Sequence, residues 1–131
     1  MDQGPDLKGR RVLVVEDEFL LAMELEGLLS RSGCDVLGPA ATVGQALAVV
    51  RDQEPEVAVL DVNLKGERVT PVAAALYDRG VPFVVITGYS GAQLSEPELR
   101  QAPRLDKPIS DRELCRAVTR ALQARSFGSD D

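Results

Sequence analysis

The chain alternates between short apolar runs and longer stretches of helical period. "RVLVV" (Arg11 to Val15), "VAVLD" (Val57 to Asp61) and "VPFVVIT" (Val81 to Thr87) are nearly continuous in apolar residues. Runs this short, bounded by polar or turn-forming residues, read as strands buried on both faces. "CDVLGPA" (Cys34 to Ala40) is a weaker strand that turns at Gly38-Pro39, and "PRLDKP" offers a short last strand ending near Lys107.

Helical signals fill the gaps. Phe19, Leu20, Met23, Leu25, Leu28 and Leu29 recur at a helical period, and Ser32-Gly33 supplies a stop. Thr42 can cap a helix running through Val50, with Ala46, Leu47, Val49 and Val50 as its apolar side. Val69 to Gly80 forms the next, with Pro71 tolerable in its first turn. Ser110 opens the last, "DRELCRAVTRALQAR", where Glu113 completes a capping box. In "YSGAQLSEPELRQ", Gly91 and Pro97 leave a fourth helix room for about one or two turns, starting at Ser95.

Repetition of βα predicts an α/β fold: a parallel sheet with helices on both faces. The 131 residues suit one domain, over residues 10–125. Residues 1–9, broken by Gly4, Pro5 and Gly9, read as a flexible lead-in, and residues 126–131 as a disordered polar tail.

Composition narrows the chemistry. A net charge of −6 argues against a nucleic-acid partner and against a polybasic membrane anchor. No apolar run approaches the roughly 20 residues of a membrane span, and the polar N-terminus shows no secretory signal, so a cytoplasmic protein is expected. Cys34 and Cys115 stand in no metal-like spacing and read as reduced, buried small hydrophobes. Histidine is absent, which excludes Ser-His and Cys-His nucleophile systems and most zinc sites. Carboxylate, hydroxyl and lysine chemistry remains.

Those groups stand at strand ends, where parallel α/β sheets collect functional residues. Glu16 and Asp17 follow the first strand, Asp61 ends the third, Thr87 the fourth, and Lys107 follows the last. Each alone has an ordinary explanation: a turn-forming aspartate, acids capping a helix, a buried threonine, a surface lysine. Agreement at four strand ends does not. Three converging carboxylates call for a hard divalent cation, which takes oxygen ligands. Beside it, Asp61 could act as a nucleophile toward a phosphoryl group, with Lys107 and the Thr87 hydroxyl meeting its oxygens.

With "VVEDE", "VLDVNLKG", "VVITGY" and "LDKPI" in place, the chain resembles the receiver domain of bacterial two-component response regulators, over about Arg11 to Ala124. The resemblance implies a flavodoxin-like (βα)5 fold, doubly wound, with five parallel strands in order 2-1-3-4-5 and here a short or irregular fourth helix. It implies Asp61 as phospho-acceptor, with Thr87 and Lys107 binding the acyl phosphate. Glu16, Asp17, Asp61 and the backbone carbonyl of Asn63 would hold magnesium or manganese. The Lys107-Pro108 bond would be cis. The implied partners are a histidine kinase or phosphotransfer protein and an unidentified downstream protein. The protein would be a signalling switch, not an enzyme acting on other molecules.

"PFVVITGY" (Pro82 to Tyr89) is similar to the signature of the FAT GUY-type receivers, which are often stand-alone, though Val85 and Ile86 stand where Phe and Ala are expected. In keeping with that, the chain ends soon after its last helix, so output by protein contact or phosphorelay is expected. A further departure lies three residues before Lys107, where many receivers carry an aromatic that turns inward on activation. Here it is Arg104, which puts the usual threonine–aromatic switch in doubt. Tyr89 is the nearest aromatic, either a gate over the site or a surface tyrosine.

Two other classes compete. A phosphatase of the haloacid dehalogenase type also uses a strand-end aspartate, but carries a second aspartate two residues on, where this chain has Asn63, and its acidic pair comes late in the chain. Both order and residue argue against it. A phosphorylation-independent protein-binding module on the receiver fold is the other, kept open by Arg104 and the thin fourth helix.

Overall fold

The computed structural model describes residues 7–62, 64, 66–88, 99 and 102–128, with 125–128 described by backbone alone. Its strands are β1 (Arg11–Val15), β2 (Asp35–Ala40), β3 (Val57–Asp61), β4 (Phe83–Thr87) and β5 (Arg104–Asp106). All pair in parallel, in the order β2-β1-β3-β4-β5. The helices are α1 (Phe19–Arg31), α2 (Val43–Gln53), α3 (Thr70–Asp78) and α4 (Asp111–Gly128). This is the flavodoxin-like arrangement the resemblance implied. The short helix expected between β4 and β5 falls largely outside the described residues.

Alternation along the strands divides the core into two layers. Val12, Val14, Val57, Val59, Val84 and Ile86 face one layer, closed by Leu25, Leu28 and Leu29 of α1 and by Leu114 and Val118 of α4. Leu13, Val15, Ala58, Leu60 and Val85 face the other, closed by Ala46 and Val50 of α2 and Val72 and Leu76 of α3. With helices on both faces, β3 and β4 are buried at every position, so their sequences show no polar alternation.

The helix boundaries follow local chemistry. Thr42 Oγ1 accepts the Gln45 N–H at 3.1 Å, starting α2. Ser110 and Glu113 cap α4 reciprocally: Ser110 Oγ accepts Glu113 N–H at 3.1 Å and Glu113 Oε1 accepts Ser110 N–H at 3.2 Å. Pro71 lies in the first turn of α3.

Several expectations need correction. β2 begins at Asp35, one residue after the expected start, and reaches Ala40 as expected, with Gly38-Pro39 standing at an irregularity in its pairing with β1. Gly38 sits at φ +94°, where a Cβ would fall 2.7 Å from the Ala40 nitrogen, so glycine permits this course. Leu7, expected in a flexible lead-in, is buried against the α1–α4 layer, and the neighbouring Gly9 N–H donates to Gly33 O at 2.7 Å. α4 runs to Gly128, past the expected limit at residue 125. The periodic residues of α1 also divide: Leu25, Leu28 and Leu29 are buried, whereas Phe19, Leu20 and Met23 are exposed. Phe19, Leu20 and Met23 lie on the side of α1 turned away from the buried Ala22, Leu25 and Leu29, so neither core layer covers them.

Candidate functional site

The sheet register brings the strand-end residues to one edge. Asp61 pairs with Ile86, and Thr87 pairs with Asp106, so β3, β4 and β5 end almost level. Glu16 stays in line with β1 because its N–H donates to Ala40 O at 2.9 Å. Its Oε2 accepts the Glu18 N–H at 3.0 Å, which turns the chain into α1. Lys107 is held to β4 by its own N–H, which donates to Thr87 O at 2.9 Å, and its peptide bond to Pro108 is cis.

The side chains converge. Lys107 Nζ donates to Asp61 Oδ2 at 3.3 Å and stands 4.0 Å from Glu16 Oε1. Oxygens of Glu16, Asp17 and Asp61 all lie within 4.8 Å of one another. Glu16 and Asp61 are each only 2% exposed. Burial, followed by the neighbouring Asp61 carboxyl, pushes the Glu16 carboxyl up to about 8; the Glu18 N–H and the Lys107 charge pull the other way.

Glu16 Oε1 is buried and accepts no hydrogen bond. An orphaned acceptor beside two further carboxylates suits a hard, oxygen-loving divalent ion such as magnesium. Asn63, the other implied ligand, lies outside the described residues.

Thr87 is fully buried, and its hydroxyl donates to Asp106 Oδ1 at 2.8 Å. Arg104 Nε is 3.5 Å from that same oxygen, with the Arg104 side chain 37% exposed and that of Asp106 45% exposed. Arg104 is therefore linked to Thr87 through Asp106. Asp106 carries no role in the sequence reading, although it too ends a strand and so meets the strand-end criterion. Tyr89 lies outside the described residues.

Beside the site runs a groove of about 570 Å³ between α1 and the segment after β5, lined by Leu20, Met23, Leu28, Lys107, Pro108 and Ile109 among others. Among the described residues, no helix is long and apolar enough to cross a membrane.

Residues 12–119 match the family described as the response regulator receiver domain. The chain is 30% identical over 117 residues to the transcriptional regulatory protein PdtaR of Mycobacterium tuberculosis, covering 86% of this chain and 57% of PdtaR. It is 32% identical to the sensory transduction protein LytT of Bacillus subtilis, over 77% of this chain and 43% of LytT. The chain thus spans about half the length of these relatives. Among solved structures, SdrG from Sphingomonas melonis Fr1 superposes with a TM-score of 0.76 at 41% identity, covering 88% of this chain and 97% of SdrG.

Proposed function

Because the chain belongs to the response regulator receiver domain family, we propose that it accepts a phosphoryl group on Asp61 from a histidine kinase or phosphotransfer protein. The phosphorylated form then signals by changed protein contacts or passes the group on in a phosphorelay. The observation that carries this reading is the Lys107 ammonium 3.3 Å from Asp61, beside the orphaned Glu16 oxygen.

A carboxylate oxygen of Asp61 attacks phosphorus, the P–N bond to the donor imidazole breaks, and a P–O bond forms. Lys107 is placed to follow the developing charge from the carboxylate onto a phosphoryl oxygen. Thr87 has a hydroxyl proton to offer another such oxygen. Glu16, Asp17, Asp61 and the Asn63 carbonyl would hold magnesium or manganese, which when bound neutralises charge shared by the carboxylates and the phosphoryl group. Burial of Glu16 and Asp61 keeps bulk water from much of this surface.

A protein donor must approach the edge where Asp61 lies, and the apolar surface beside that edge belongs to α1. Phe19, Leu20 and Met23, exposed there, are the surface we assign to the donor. The reading places the protein in the cytoplasm, and "PFVVITGY" supports a place among the FAT GUY-type stand-alone receivers.

The test is incubation with magnesium and acetyl phosphate. An acid-stable, base-labile label, absent from Asp61→Asn and from reactions with chelator, is the expected result. Failure to label with any donor, with partner binding intact, would instead support the phosphorylation-independent module that Arg104 kept open.

A further inference from the structure

The Thr87 hydroxyl has one proton, and the structure commits it to Asp106. We propose that Asp106 is a latch: it holds Thr87 in the unphosphorylated arrangement and must release it before the hydroxyl can meet a phosphoryl oxygen on Asp61. The inference rests on the phosphoryl reading above.

Geometry sets the two acceptors against each other. Strand alternation puts Thr87 on the same side as Val85 and Phe83, facing the α2–α3 layer, while Asp61 follows Val57 and Val59 on the α1–α4 side. Thr87 and Asp106 are direct cross-strand partners, so their side chains share a side and their bond spans only the gap between adjacent strands. The acceptor is a carboxylate, which binds a hydroxyl more strongly than a neutral oxygen does. Arg104, partnered in register with Val85 one pleat earlier, lies along the same face and steadies that carboxylate.

Release has somewhere to go. Asp106 lies on the edge strand with its side chain 45% exposed, so water and Arg104 can satisfy it once Thr87 departs. The latch thus connects a fully buried hydroxyl to an exposed ion pair on the β5 edge. Phosphorylation at Asp61 would change the charge pairing on that surface, giving Arg104 a part in signalling without an aromatic at its position.

The experiment titrates the whole chain with beryllofluoride, a phosphoryl mimic, in the presence of magnesium, following backbone amide resonances for half-saturation and, where residue 87 is threonine, its methyl by NMR. Asp106→Ala should half-saturate at a concentration about three- to tenfold lower than the unaltered chain. Asp106→Asn, which keeps the shape and loses the charge, should fall between and guards against a folding defect. In ligand-free Asp106→Ala, the Thr87 methyl resonance should move toward its beryllofluoride-bound position, which loss of a simple brace would not cause. In a Thr87→Ala background, Asp106→Ala should have no further effect. Equal affinity of the unaltered chain and both Asp106 variants would overturn the latch while leaving the phosphoryl reading intact. No binding of beryllofluoride to the unaltered chain would overturn both.

Discussion

Glu16 illustrates how burial turns a common residue into a specialised one. It is 2% exposed, one of its oxygens accepts the Glu18 N–H, and the other accepts no hydrogen bond. Such a group costs stability until a ligand satisfies it. Glu16→Gln keeps an oxygen for Glu18 N–H and presents an amide donor toward Asp61. The substitution should therefore raise the unfolding free energy of the metal-free chain by about 1 kcal/mol. Excess magnesium should raise the urea midpoint of the unaltered chain and leave that of Glu16→Gln nearly unmoved. A variant that loses stability without magnesium would show that Glu16 supports the fold and not a cation.

At the scale of elements, the opposite end of the sheet has its own fastening. Glu56, just before β3, accepts the Arg11 N–H of β1 at 2.9 Å and pairs with Arg10 Nη1 at 3.2 Å. The bond from the Arg11 N–H, aided by the Arg10 charge, holds its carboxyl below its ordinary value of 4.5. A folded value below the unfolded one stabilises the fold above about pH 4.5, and this contribution disappears as pH falls through the lower, folded value. Glu56→Gln should cost about 1 kcal/mol at neutral pH. Its stability should also decline less steeply on the acid side, as urea titrations across pH would register. Local signals located most helices well, because capping by Thr42 and Ser110 depends only on residues three positions away. β2 was harder to read: its passage through Gly38-Pro39 depends on pairing with β1, a contact remote in sequence.

For the whole molecule, the doubly wound fold buries both faces of its sheet and leaves the C-terminal strand edge for chemistry. The first turn of α1 lies beside that edge, sharing a groove with Lys107, and its outward-facing Leu20 is 71% exposed. Leu20→Glu should slow transfer from a kinase or phosphotransfer domain by roughly tenfold, since a charge would enter the apolar part of an interface. Acetyl phosphate, too small to need that surface, should label it at the normal rate. Equal loss with both donors would place the defect in the site itself.

The sequence by itself determined the parallel α/β plan, because runs buried on both sides of a sheet must be apolar throughout. It also determined the company of Glu16, Asp17, Asp61, Thr87 and Lys107 at strand ends, because Glu16, Asp61 and Thr87 directly follow apolar residues, and Asp17 and Lys107 come one residue later. Which way each side chain points was a tertiary matter. Only register set Thr87 against Asp106, and only the packed layers separated the buried Leu25 from the exposed Leu20 on one helix. Periodicity records that a helix has an apolar side; the neighbour that covers it, and where that cover stops, comes from segments distant in the chain.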